Sequence, residues 1–299
     1  MRQPNLQEVE NYSEGCYVWR TPTFFKRGTA FSTILNMIEW YVKIFIYLST
    51  KNIACINAHS LSTLPISVFF KWFKKCKLIY DAHEIETETS TVQGVRKLIS
   101  KKVEQFFIKY SDVIVLTSKG HANWYKKQFP NLKVVFIRNC PYLRNSYELK
   151  NNFFREQFSI PDNNLIFIYQ GAIARPRGIN ILLEVFQKSN PNKHIVFMGF
   201  GQDASRVKAI SQTVKNIHFH SAVHPNDVWK YTSSADVGIH MMDDSCINHL
   251  YALPNKPMEY LNVGLPAIVS NLPEMSSLII DSNAGWVVEV NSAKQLLRL

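Results

Sequence analysis

Short apolar, β-branched runs alternate with helix-length segments along almost the whole of this 299-residue chain. The strand candidates are 53–57, 77–81, 113–117 and 134–137, then 165–169, 194–198, 216–219, 236–240, 266–270 and 286–290. Helical patterns at 64–75, 94–110, 179–188, 203–214 and 225–233 lie between them. Strands separated by helices read as βαβ units, and hence as parallel sheets covered on both faces with right-handed crossovers. The alternation stops once, at 138–150 (RNCPYLRNSYELK), which is polar, holds Pro141 and continues no strand. That segment is the linker candidate. The expectation is therefore α/β, with two Rossmann-like doubly wound domains, 1–145 and 146–299, facing a cleft. The length suits two such domains, each with its own core.

In open parallel sheets, ligands sit beyond the carboxyl ends of the strands, so those ends carry the functional candidates. Polar and small residues crowd them: His59, Asp81 to Glu84, Thr117 and Asn139 in the first half, then 171–178, 199–201, 220–223, 241–244 and 270–274. The net charge of +11 is uneven: residues 1–145 hold 21 Lys plus Arg against 10 Asp plus Glu, and the remainder 13 against 13. Such an excess is either a solvated face or a surface for an anionic membrane or a phosphate-bearing acceptor. No nucleic-acid motif accompanies it, so a nucleic-acid partner is not expected. Five scattered cysteines without Cys-x-x-Cys spacing suggest neither a disulfide framework nor a zinc site and favour a reduced, cytoplasmic setting. The most apolar stretch, 31–48, carries Glu39 and Lys43 at its middle, which suits an amphipathic helix rather than a membrane span.

Three segments carry the chemistry. YQGAIARPRG (169–178) ends a strand at Gly171 and opens a helix near Gly178, with Arg175 and Arg177 just ahead. Glycine admits close approach, a helix N-terminus offers free N–H groups, and guanidinium forks suit phosphate. The plain alternative is a βα turn with exposed arginines. VFMGFGQD (196–203) repeats the pattern with Gly199 and Gly201, a weak signal that a tight turn explains equally well. In ALPNKPMEYLNVGLPAIVSN (252–271), Pro254 and Asn255 introduce a helix with Lys256 in its first turn and Glu259 one turn on. A lysine there opposes the helix dipole, which points to a bound anion, and Glu259 is placed to accept from ribose hydroxyls. Asp243 and Asp244 lack a spaced partner, and no metal site is assigned.

The three segments, with INAHSLSTLP, LIYDAHEIETE and HSAVHPNDVWKYTSSADVGIHMM, together resemble glycosyltransferase family 4, in the order that family has them, from Ile53 to Trp286. The resemblance implies a GT-B enzyme that moves a sugar, with retention and without a metal, from a nucleoside diphosphate sugar to an envelope polysaccharide, lipopolysaccharide or lipid-linked acceptor. It places Gly171, Arg175, Arg177, Gly199 and Gly201 around the diphosphate, Val223 by the nucleobase, and Asn255, Lys256 and Glu259 at the donor helix. His83 and Glu84 would face the sugar as catalytic residues. The family's first glutamate, eight residues before Glu259, is here Tyr251, preceded by Asn248 and His249, which leaves the donor-sugar contacts open. With the cysteine and charge readings, the expectation is a cytoplasmic protein, peripheral at the inner face of the membrane if the basic half binds lipid.

Two other readings compete. One is a degenerate homologue that binds nucleotide or a partner without turnover; the other is a GT-B-shaped epimerase, which the position of PNKPMEY disfavours. By the family's pattern both ends look short. Only 52 residues precede Ile53, with one strand candidate at 16–20, and the sequence stops in the helix start SAKQLLRL. On that reading, weak donor binding and poor transfer are expected.

Overall fold

The computed structural model describes residues 8–24, 29–143, 151–174 and 177–298. In chain order it contains β1 (Val9–Ser13), β2 (Cys16–Trp19), α1 (Ala30–Ser49), β3 (Cys55–His59), α2 (Leu64–Lys74), β4 (Lys77–His83), α3 (Gly94–Phe107), β5 (Val113–Leu116), α4 (Lys119–Gln128) and β6 (Val134–Phe136). There follow α5 (Phe153–Phe158), β7 (Leu165–Ala172), α6 (Ile179–Lys188), β8 (Lys193–Phe200), α7 (Ala204–Ser211), β9 (Ile217–Ser221), α8 (Val228–Thr232) and β10 (Val237–His240). The last are α9 (Ile247–Leu250), α10 (Asn255–Asn262), β11 (Ala267–Ser270), α11 (Pro273–Ser282), β12 (Gly285–Val288) and α12 (Ala293–Arg298). Every strand expected from 53 onward is present within a few residues. The linker expected at 138–150 lies partly outside the described residues. The strand expected at 16–20 is β2, and it does not open a parallel unit. It pairs antiparallel with β1 around Gly15, whose φ of +74° suits the turn.

The sheets run β3-β4-β5-β6 and β12-β11-β10-β7-β8-β9. Every neighbouring pair of the second sheet is parallel, as is β5 with β6 in the first. The second has the doubly wound order, reversing direction between β7 and β10. By density of contacts the chain parts into two compact units, Met1–Tyr80 with Val103–Asp112, and Asp81–Lys102 with Val113–Leu299.

In the first unit, α1 starts at a reciprocal cap: the Ser32 N–H donates to Thr29 Oγ1, and the Thr29 N–H to Ser32 Oγ, both at 3.1 Å. Glu39 and Lys43, read as charges unfit for lipid, pair at 2.7 Å on this helix. No helix among the described residues is long and apolar enough to cross a membrane. Asp112 ties the unit together, accepting from Lys71 Nζ and the Leu78 N–H at 2.8 Å each. Lys71 therefore holds the Asp112 carboxyl below its usual range, helped by the Leu78 bond.

In the second unit, the strands alternate faces. Phe167, Tyr169, Ile195 and Phe197 pack under α6, α7 and α12, while Ile166, Ile168, Val196 and Met198 pack under α5, α10 and α11. With both faces covered, β7 reads as an unbroken apolar run until Gln170, and that single polar residue marks where the sheet core ends.

Candidate functional site

Gln170 is 3% exposed, so each of its polar atoms needs a partner. Its Nε2 donates to Glu259 Oε2 at 2.5 Å, and its Oε1 accepts from Thr232 Oγ1 at 2.6 Å. Its backbone N–H donates to the Tyr260 hydroxyl, which in turn donates to the Ile239 carbonyl, each at 3.2 Å. One buried amide at the carboxyl end of β7 thus fixes α8 and the Glu259 carboxylate on α10 in one network.

Lys256, in the first turn of α10, lies across the same strand end. A Cβ on Gly171 would stand 2.8 Å from Lys256 Cε, which would have to move, and Gly171 has φ +112°, so the backbone favours glycine there. Burial pushes the Lys256 ammonium below its usual range; Arg177 pushes the same way and Glu259 opposes. Arg177, which precedes α6, also acts on His240 at the end of β10. His240 is fully buried, and neither ring nitrogen has a hydrogen-bond partner among the described residues. Burial first, then the Arg177 and Lys256 cations, drive its pKa down to about 3. Neither cation forms an ion pair among the described residues. Two cations without ion pairs among the described residues, near the starts of α6 and α10, are a setting for an anion.

Against Lys256 lies a pocket of about 410 Å³, at the carboxyl ends of β7 and β8 and the loop after β9. Gly171, Met198, Gly199, Val223, Trp229, Lys256 and Glu259 are among its lining residues. It is mostly apolar with convergent polar groups, as small-molecule sites are.

The expected residues fall into three groups. Gly171, Gly199, Val223, Lys256 and Glu259 line the pocket. Arg177 does not line it but acts, with Lys256, on His240, and Asn255 opens α10 without lining it. Arg175 lies outside the described residues. Gly199 and Gly201 have a second demand on them: a Cβ would stand 1.8 Å from the Gly171 carbonyl oxygen and 2.3 Å from that of Ile173. The neighbouring strand turn alone requires those two glycines. Sequence reasoning missed Gln170, Thr232 and Trp229, although a glutamine inside an apolar strand was a readable signal.

His83 and Glu84 lie apart from the pocket lining: His83 ends β4, and Glu84 begins the turn after it. His83 adopts φ +52°, its carbonyl accepts from Thr117 Oγ1 at 2.6 Å, and its ring, half exposed, is 3.6 Å from Asp81 Oδ1. Glu84 Oε2 accepts from Asn248 Nδ2 at 2.8 Å, and the Ile85 N–H donates to Asn248 Oδ1 at 2.9 Å. Tyr251 points elsewhere: its carbonyl accepts from Ser118 Oγ at 2.7 Å, and its ring covers Gly120.

The family model "Glycosyl transferases group 1" matches residues 150–299, half of the chain, including all of this pocket's residues from Gln170 to Asn262. Among solved structures, sucrose-phosphate synthase from Thermosynechococcus elongatus is similar at TM-score 0.73 and 15% identity, over 99% of this chain and 75% of that one. HepE of Anabaena, in complex with UDP-glucose, is similar at TM-score 0.67 and 13% identity, over 86% and 70%. WaaG, a glycosyltransferase of lipopolysaccharide biosynthesis, is similar at TM-score 0.60 and 14% identity, over 94% and 78%. The fold is that of GT-B glycosyltransferases. No curated protein sequence matches the chain.

Proposed function

Because the chain belongs to the glycosyl transferases group 1 family, we propose that its pocket binds a nucleoside diphosphate sugar and that the protein moves the sugar, with retention, to a polysaccharide, lipopolysaccharide or lipid-linked acceptor. The observation that carries this reading is the pair of cations Arg177 and Lys256, without ion pairs among the described residues, beside a pocket holding a pre-fixed carboxylate, Glu259. The base takes the apolar part by Val223 and Trp229, and ribose hydroxyls donate to Glu259. The diphosphate lies on Gly171 and Lys256, where Arg177 and Lys256 neutralise the charge of the leaving group in place of a metal. His83 and Glu84 face the sugar. Neighbours that hold UDP or UDP-glucose support the donor class, and the lipopolysaccharide transferases support the acceptor class.

The test is a thermal-shift screen of nucleoside diphosphates and nucleosides, followed by incubation with labelled nucleotide sugars and glycan or lipid-linked acceptors. A midpoint raised by one diphosphate and not by its nucleoside is expected, since ligand binding to the native state stabilises it. A chain that no diphosphate stabilises would overturn the reading. A second reading, nucleotide binding without turnover, is favoured by one feature: Tyr251 stands where the family has its first glutamate, and its ring packs over Gly120. Diphosphate binding with no transfer to any acceptor would select it.

A further inference from the structure

Asn248 belongs to none of the roles above, yet it is 5% exposed, and its side-chain amide and its carbonyl oxygen bond outside its own short helix. Its side chain accepts from the Ile85 N–H and donates to Glu84 Oε2, so a single amide grips two successive residues of one turn. Its carbonyl receives a bond from His121 Nε2 at 3.0 Å; a carbonyl only accepts, so this nitrogen carries the proton. Burial holds His121 below its usual range and hence neutral, consistent with that tautomer. All these residues belong to the second compact unit.

The turn it grips needs holding. His83 is a non-glycine residue in the left-handed region, a conformation that persists only where surroundings impose it. The Thr117 hydroxyl fixes the His83 carbonyl from one side, and Asn248 fixes Glu84 and Ile85 from the other. Glu84 is itself exposed, so without Asn248 its carboxylate would sample several rotamers. Asn248 sits three residues before Tyr251, in the segment where the resemblance lacks its acid.

We propose that Asn248 is a positioning residue: its amide aims the Glu84 carboxylate and sets the His83 backbone, so that a carboxylate borne by the β4 turn serves where residue 251 offers none. This rests on the reading of His83 and Glu84 as groups that face the donor sugar.

Asn248→Asp keeps the acceptor for the Ile85 N–H but sets a carboxylate against Glu84 at hydrogen-bond distance, and like charges there repel. Adding Glu84→Gln restores a donor–acceptor pair with the roles exchanged. Transfer from radiolabelled UDP-glucose and GDP-mannose, with thermal melting, is measured on wild type, both single variants and the double variant. With Glu84 in place, Asn248→Asp is expected to lower kcat by about tenfold with donor KM unchanged; added to Glu84→Gln it costs less than about twofold, whatever the rate of Glu84→Gln alone. Melting temperatures follow the same pattern. Equal losses in both backgrounds, or a loss in KM instead of kcat, would overturn the proposal. His83→Ala and Glu84→Ala run alongside. If both transfer at the wild-type rate, the reading of the turn as part of the site fails; if they abolish transfer while the cycle shows no coupling, the clamp alone fails.

Discussion

Lys256 and Gly171 form one functional object, because the lysine stem occupies the volume that any side chain at 171 would fill. Arg177→Ala and Lys256→Ala should each weaken diphosphate binding about 10- to 150-fold, the range for a lost charge-assisted hydrogen bond, while nucleoside binding changes little. Titration calorimetry with both ligands measures the difference, and a variant that binds the diphosphate like wild type is not in the phosphate site. Gly171→Ala should also weaken diphosphate binding, since the new methyl group crowds the Lys256 stem at a backbone conformation that strains alanine. Its diphosphate affinity staying at the wild-type level would mean that Lys256 reaches its ligand by another path.

At the scale of elements, the contact of α10 with β10 is closer than side chains ordinarily permit. A Cβ on Gly238 would stand 2.2 Å from the Tyr260 ring, which is fully buried and whose hydroxyl links β7 to β10. Gly238→Ala must therefore displace Tyr260 and with it the helix that carries Lys256 and Glu259. A loss of about 1–3 kcal/mol is expected in urea unfolding, together with weaker diphosphate binding, because overpacking in a filled core shifts backbone. A destabilised protein with unaltered affinity would show that α10 does not transmit the strain.

Two properties belong to the whole molecule. Burial holds His121, His194, His218 and His240 below the ordinary histidine value, His218 at about 4 and His240 at about 3. As pH falls below about 6.5, the unfolded chain takes up protons that the native state refuses, so stability is lost progressively toward the folded values. The lowered carboxylates, such as Asp112 and Asp243, begin to weaken the fold only nearer pH 4. Replacing His240 by Leu should remove about 2 kcal/mol of the loss between pH 7.5 and pH 5, measured by urea melts at both. Parallel declines in variant and wild type would rule out this origin. The second property is charge. The basic first half, with Phe31, Ile34, Ile38 and Ile46 exposed on α1, predicts sedimentation with anionic vesicles that fades as salt rises. Equal binding to neutral vesicles would reject the electrostatic part.

The strands from 53 onward and many of the helices were legible because their signals are local: β-branched runs, and glycine and proline at the borders of 254–266; α4 and α11 were not read. So were Gly171, Lys256 and Glu259, each visible as an odd residue for its place in a strand end or helix start. The hairpin of β1 and β2 was not, because β1 carries too little apolar pattern to announce a strand without its partner. Nor was the grip of Gln170 on Glu259 and Thr232, 89 and 62 residues away, or of Asn248 on Glu84, 164 residues away. Hydrophobic period and capping fix what each segment becomes, but the neighbours of a strand depend on the order in which strands pair. The packing of α10 against the sheet brought Lys256 over Gly171 and Glu259 onto Gln170, and that was decided by the tertiary structure alone.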